Sequence, residues 1–459
     1  MKIANYELRI TNCVGLFLAI LLTVNCLLLT AYAQNGGSDQ NLTGKAGTFA
    51  ITNARIVTVS GAVIPNGTVV ISNGKISAVG ANVSIPGGAE RINGTGLSVY
   101  PGMIDAGTNM GILEIGGGAA GTVDVAETGD INPNAKAILG LNPHTSHINV
   151  TRVNGITMVH SMPAGGIISG QSAVVNLNGS TQDEMVVVRE FGLVINFPQI
   201  STFAGFDPLT GPRIVDFDQA VKNRDKRVDE LKEAIENAKQ YANANDAYAK
   251  NKSLPAVAAD LKMEAMIPYI RGEKPIIFEA QRARDIRGVI KLVEEMKLKA
   301  IIFGGAEAWQ EAEGLKKNNI AVIYDRMFNN PLRQDDSYDS MFEAPMKMQK
   351  AGIKFCISTG DNGANVRDLP YQAGAAAAYG LSKDEALKSV TLYPAQILGV
   401  GDMYGSIENG KAANIVVTDG DILEVRTNIL HMFINGKKIP LTSRHTDFFD
   451  AYKDRKLGQ

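Results

Sequence analysis

The sequence predicts an α/β protein: a TIM-like (β/α)8 barrel with a small β-sandwich domain built from both chain ends. Three observations predict it. Short, continuously apolar runs alternate with helical segments over about 300 central residues, as in a parallel sheet buried on both faces. Both ends carry strand-like alternation punctuated by Asn-Gly turns. The length of 459 residues accommodates one large α/β unit and a smaller companion. The alternation by itself leaves a doubly wound open sheet possible.

Residues 1–33 read as a signal peptide. Lys2 and Arg9 give a weakly basic start, an apolar run covers 14–30, and Ala31-Tyr32-Ala33 before Gln34 is a small-x-small cleavage site. The alternative is an uncleaved anchor, since the run is long for a signal and just short of a secure span. Asn25 argues against lipidation of Cys26. The expected destination is the periplasm or the extracellular space, with cleavage after Ala33 and no membrane attachment afterwards. Cys13 and Cys26 fall in this leader, so Cys356 alone of the three cysteines remains and no intrachain disulfide can form.

Residues 34–47 are polar and Gly/Asn-rich, a linker. Residues 48–100 form the N-terminal part of the β-sandwich: runs at 49–51, 54–59, 68–71 and 75–79, the last two joined through Ser72-Asn73-Gly74. Residues 101–398 form the barrel, with buried strands at 97–105, 155–161, 275–280, 299–303, 320–324 and 353–358. Ile286, Val289, Ile290 and Val293 fall on one face of a helix over 283–297, and Ser382-Lys383-Asp384-Glu385 is a capping box. The charged stretch 216–248 predicts a long helix, either an outer barrel helix with a solvated face or a lid or dimer arm. Residues 399–445 return to the β domain, with strands at 414–417 and 429–434 and an Asn435-Gly436 turn; 446–459 is a tail.

Forty-five basic and forty-seven acidic side chains, with no long Lys/Arg run, argue against a nucleic-acid partner. A small-molecule substrate or ligand is the partner that suits a barrel.

Several segments resemble the amidohydrolase superfamily, particularly its imidazolonepropionase-like and exported bacterial branches. Tyr100-Pro101-Gly102-Met103-Ile104-Asp105 is similar to that family's Pro-Gly-hydrophobic-Ile-Asp strand, and Asn73-Gly74-Lys75-Ile76 to the preceding hairpin. Residues 386–395 resemble its penultimate helix, and residues 405–417 its return to the β domain. The resemblance implies a metal-hydrolase barrel, hydrolysis of non-peptide C–N bonds such as amides or cyclic amides, and a homo-oligomer.

The family pattern continues from the aspartate with His-x-His, both metal ligands. Here those positions are Gly107 and Asn109. Glu279 and Gln281 stand where His-Ala-His is usual, and Gly304-Gly305 where another histidine is expected. Asp361 is similar to the aspartate that serves as general base or ligand. Five histidines in all cannot rebuild a His-rich site, since His431 and His445 lie in the tail region.

What could replace it is a set of strand ends. His160, Glu279 and Asp361 could hold one divalent ion, zinc, manganese or iron, that activates water, with Asp361 as proton acceptor. The competing reading binds no metal: His160 is hydrogen-bonded in the core and Glu279 pairs with Arg282 or Arg284. Arg367 could clamp a substrate carboxylate or cap its loop. His144 and His147 are expected on a loop or helix start rather than on a metal. Gly116-Gly117-Gly118 and Gly165-Gly166 lack the Gly-Lys-Ser/Thr of a phosphate loop. Glu114, Asp124, Glu127 and Asp130 form an acidic loop expected to be solvated. Two functions follow: a hydrolase with an altered or reduced metal site, or a catalytically inactive ligand-binding or accessory protein on the same scaffold.

Overall fold

The computed structural model describes residues 42–115, 120–207, 210–360 and 363–455. The leader, most of the linker, Gly116-Gly117-Gly118 and Asp361 lie outside the described residues.

The chain opens with five strands, β1 (Phe49–Ile56), β2 (Ile64–Ser72), β3 (Lys75–Gly80), β4 (Glu90–Asn93) and β5 (Ser98–Pro101). The run at 97–105 is broken at Gly102, where a Cβ would collide with Thr157. Beyond the break, β6 (Met103–Thr108) belongs to the barrel. There follow β7 (Ile156–Ser161), β8 (Ile168–Gln171), β9 (Ala173–Asn176), β10 (Val186–Val188) and β11 (Leu193–Asn196). A separate ribbon, β12 (Phe203–Asp207) and β13 (Gly211–Ile214), precedes the helix Phe217–Lys250. Then come β14 (Ile276–Ala280), β15 (Ala300–Gly304), β16 (Ala321–Tyr324) and β17 (Phe355–Ile357). Finally β18 (Ile415–Thr418), β19 (Ile429–Ile434) and β20 (Lys437–Ile439) return to the first sheet.

The two chain ends do assemble together, but not as two stacked sheets. One eight-stranded sheet runs β20-β19-β18-β5-β1-β2-β3, with β4 added to β1. Hydrogen bonding passes through β5, which pairs with β18 on one side and β1 on the other, so the ladder never divides. The sheet curls until its two Asn-Gly turns touch. Asn73 and Gly74 (φ 50° and 79°) and Asn435 and Gly436 (φ 47° and 70°) have the paired positive φ of type I′ hairpins. A Cβ on Gly436 would lie 2.6 Å from the Gly74 Cα, so neither turn has room for a larger residue. Phe49, Ile51, Ile71, Val99, Ile415 and Phe433 fill the inside of the curl.

The barrel is TIM-like with mixed sheets, which corrects the expectation of eight uniformly parallel strands closed by one ladder. Parallel pairing joins β11-β14-β15-β16-β17 in one sheet and β6-β7 in the other. The antiparallel strands β8, β9 and β10 are inserted between these two runs. Side chains alternate in and out along each strand. Ile104, Met158, Val194, Ile277, Ile301, Ile323 and Cys356 share the inner cluster. Ile276, Phe278, Ile302, Val322 and Phe355 face outward onto Ile286, Val289, Ile290 and Val293 of the helix Ala283–Met296.

Between β6 and β17 the seam is closed by side chains. The fully buried Asp105 carboxylate accepts from the Ser358 hydroxyl at 2.5 Å, the Thr359 hydroxyl, and the Thr359 and Gly107 backbone N–H groups. The Ser358 Oγ also reaches the Gly107 carbonyl at 2.8 Å. The long helix Phe217–Lys250 is an outer helix. Leu231, Ala234, Ile235 and Ala238 join the outer core, and Lys232 pairs with Glu295 at 2.8 Å.

Candidate active site

The C-terminal ends of the barrel strands surround a cavity of about 390 Å³, the place where barrel enzymes bind substrate. Its lining includes Thr108, Asn109, Met162, Glu279, Phe303, Asp325, Arg326 and Thr359. Register explains the grouping. Glu279 sits opposite Asn196 of β11 and Phe303 of β15, and Asp325 directly follows β16.

Among the described residues Glu279 and Asp325 are the carboxylates that line this cavity. Burial pushes Asp325 up to about 6; the Arg326 guanidinium opposes, the Glu279 charge adds and the Gln281 amide opposes. Burial raises Glu279 too, again against Arg326. The Arg326 Nε lies 3.1 Å from Asp325 Oδ1. A Cβ on Gly360 (φ +63°) would strike the Asp325 side chain, so only glycine lets the loop after β17 cover that carboxylate. Gln281 is similarly enclosed: a Cβ on Gly304 would meet its amide, whose buried atoms have no well-formed hydrogen bond among the described residues.

His160 is not part of this arrangement. Its ring is fully buried, packed edge-on against Phe191 with centroids 5.1 Å apart, and Nδ1 meets the Ala106 carbonyl at 2.7 Å. Its Nε2 has no partner among the described residues, and burial lowers its pKa to about 4. Of the set His160, Glu279 and Asp361, only Glu279 is a described residue on the cavity wall. The cation beside it is Arg326, not Arg282 or Arg284; Arg284 faces Asp285 at 3.4 Å. Arg367 lies off the cavity, against Asp368 at 3.8 Å and His445 at 3.3 Å. His147 opens the helix Ser146–Arg152, with Nε2 donating to the Glu114 carbonyl at 3.3 Å. Cys356 is buried and free, and burial pushes its thiol well up.

The described residues do not fit the divalent metal that the family resemblance implies. No histidine is among the described residues that line the cavity. A side chain on Gly107 would run into the Phe303 ring, so the space of the first histidine is filled. The Asn109 amide nitrogen donates to the Met162 carbonyl at 2.6 Å. Asp325 is already beside a guanidinium. Among the described residues no three His, Cys, Asp or Glu side chains converge on a common point. The two carboxylates and the competing cation among the described lining residues are a poor donor set for zinc.

Sequence reading located Glu279 but missed Asp325 and Arg326. Their signal was available, since Asp325 ends the apolar run Ala321-Val322-Ile323-Tyr324 as Glu279 ends its own.

Comparison with known proteins agrees with this architecture. The amidohydrolase family model matches residues 285–439. An amidohydrolase of Hapsidospora irregularis is 22% identical over 395 residues, covering 81% of this chain and 39% of that protein. This chain thus spans well under half the length of that relative. The crystal structure of an amidohydrolase from Thermotoga maritima superimposes with a TM-score of 0.75 at 25% identity, over 86% of this chain and 100% of that one. A putative prolidase from Bifidobacterium longum, 18% identical, shares the fold with a TM-score of 0.51 over 90% of this chain and 99% of its own.

Proposed function

Because the chain belongs to the amidohydrolase superfamily, we propose that it hydrolyses a non-peptide C–N bond, an amide or cyclic amide, with carboxylates in place of the family's metal-bound water. Membership supports hydrolase chemistry in general. The observation that carries the finer reading is the pair Glu279 and Asp325, both raised by burial, on one cavity wall beside Arg326.

Such a pair divides the labour of amide hydrolysis. Asp325 lies 3.1 Å from the Arg326 guanidinium, which favours its ionised form against the burial that raises it. Glu279 is raised by burial against the charge of Arg326, so it is the carboxyl poised to exchange a proton. As water adds to the amide carbon, Glu279 takes its proton and the carbonyl π pair moves onto oxygen. Arg326 provides positive charge for that oxyanion. When the C–O double bond re-forms, the C–N bond breaks and the nitrogen leaves with the proton from Glu279. Water and amide are consumed; acid and amine are formed.

The test is turnover of a panel of small amides, lactams and ureides by the chain from Gln34 onward, followed by mass spectrometry. Glu279→Gln should lower turnover by about 100-fold or more. Turnover unaffected by that change sinks the assignment. The second reading, ligand binding without catalysis, is favoured by the Phe303 ring occupying the space of the missing first histidine. Its signature is saturable binding of a panel member with no product.

A further inference from the structure

Among the described residues the ribbon β12–β13 hydrogen-bonds to no other strand. A two-stranded ribbon alone is marginally stable in water, so this one needs something to pack against. Phe203 pairs across it with Ile214, and Phe206 with Pro212. Between Phe203 and Phe206 the register shifts, at Gly205 with φ 118°, and this extra residue brings the two phenylalanines to one face. Phe203, Phe206, Ile214 and the adjoining Phe217 remain 54%, 69%, 66% and 59% exposed.

At roughly 200 Å² for each large side chain, those fractions leave about 500 Å² of apolar surface on the ribbon and the helix start beside it. A standard interface takes about 800 Å² from each partner, and about two-thirds of it is apolar in homodimers. The patch therefore has the apolar area that one side of a stable dimer requires. A solitary monomer seldom exposes so much in one place. The charges on the ribbon, Asp207 and Arg213, are of opposite sign, so two copies meet without net repulsion.

We propose that this ribbon is a homodimerisation arm. Its apolar face packs against the same face of a second copy of the chain about a twofold axis. The ribbon begins seven residues after Asn196, which ends β11 beside Glu279 of the cavity wall.

Light scattering and sedimentation across micromolar concentrations test it on the chain from Gln34 onward. The wild type should have the mass of a dimer that dissociates on dilution. Phe203→Ser/Phe206→Ser should be monomeric with an unchanged far-ultraviolet circular dichroism spectrum. A monomeric wild type, or a folded variant that stays dimeric, overturns the proposal. Hydrogen exchange on the wild type decides the matter if the variant does not fold. Protection of amides 203–207 should rise with protein concentration, and protection independent of concentration is the contrary result.

Discussion

The Arg326 Nε lies 3.1 Å from Oδ1 of Asp325, the most buried carboxylate on the cavity wall. A guanidinium thus stands beside the carboxylate on the cavity wall. The fixed, weakly hydrated charge of arginine suits a partly enclosed site.

That relationship makes zinc a poor competitor. Protein purified without chelator and analysed for elements should carry far less than one zinc, manganese or iron per chain. Added zinc should leave the thermal midpoint unchanged. Close to one ion per chain, retained through dialysis, contradicts the donor-set argument.

Histidine cannot simply be restored at Gly107, because the Phe303 ring holds the space. Gly107→His should destabilise the fold by about 1–3 kcal/mol through overpacking. Adding Phe303→Ala should recover part of that loss and create the first imidazole ligand. Equal thermal midpoints for Gly107→His and the wild type would show that the ring moves aside freely.

The raised carboxyl of Asp325 has a signed effect on stability. Its folded pKa of about 6 exceeds the reference 3.8, so the folded state binds the proton more tightly. That contribution is present below the unfolded value and is lost as pH rises through about 6. Asp325→Asn should flatten the fall in unfolding free energy between pH 4 and 7, by up to about 3 kcal/mol. Urea titrations of both proteins at pH 4.5 and 7.5 measure it. Parallel curves would mean that Asp325 is better solvated than its burial indicates.

Asp105 acts as a staple rather than a reagent. It accepts from Ser358, Thr359 and Gly107, so Asp105→Ala leaves several buried donors unpaired. The expected cost is at least about 3 kcal/mol, against about 1 kcal/mol for Ser358→Ala. Equilibrium unfolding compares them. A smaller loss for Asp105→Ala than for Ser358→Ala would place the closure of the seam elsewhere.

Much of the architecture was legible because it rests on local patterns. The apolar runs at 275–280, 299–303 and 320–324 correspond to β14, β15 and β16, since a strand buried on both faces must be apolar throughout. The Asn73-Gly74 and Asn435-Gly436 turns were legible because type I′ geometry needs positive φ at both residues. The inserted strands β8 to β10 and the barrel strand β11 were not. They are three or four residues long, and their pairing is decided by distant partners such as Pro275 and Ile276 opposite Leu193.

The sequence by itself determined the α/β class, the two β-rich ends, the presence of Gly107 and Asn109 after the Asp105 strand and the strand-end position of Glu279. These are properties of composition and short-range order. Only the tertiary structure decided which side chains meet. It buried His160 against Phe191, filled the space at Gly107 with Phe303, and set Asp325 and Arg326 beside Glu279. Residues 107, 279, 303 and 325 converge because neighbouring strands end at one rim, and that depends on strand order and register. No local pattern along the chain encodes either.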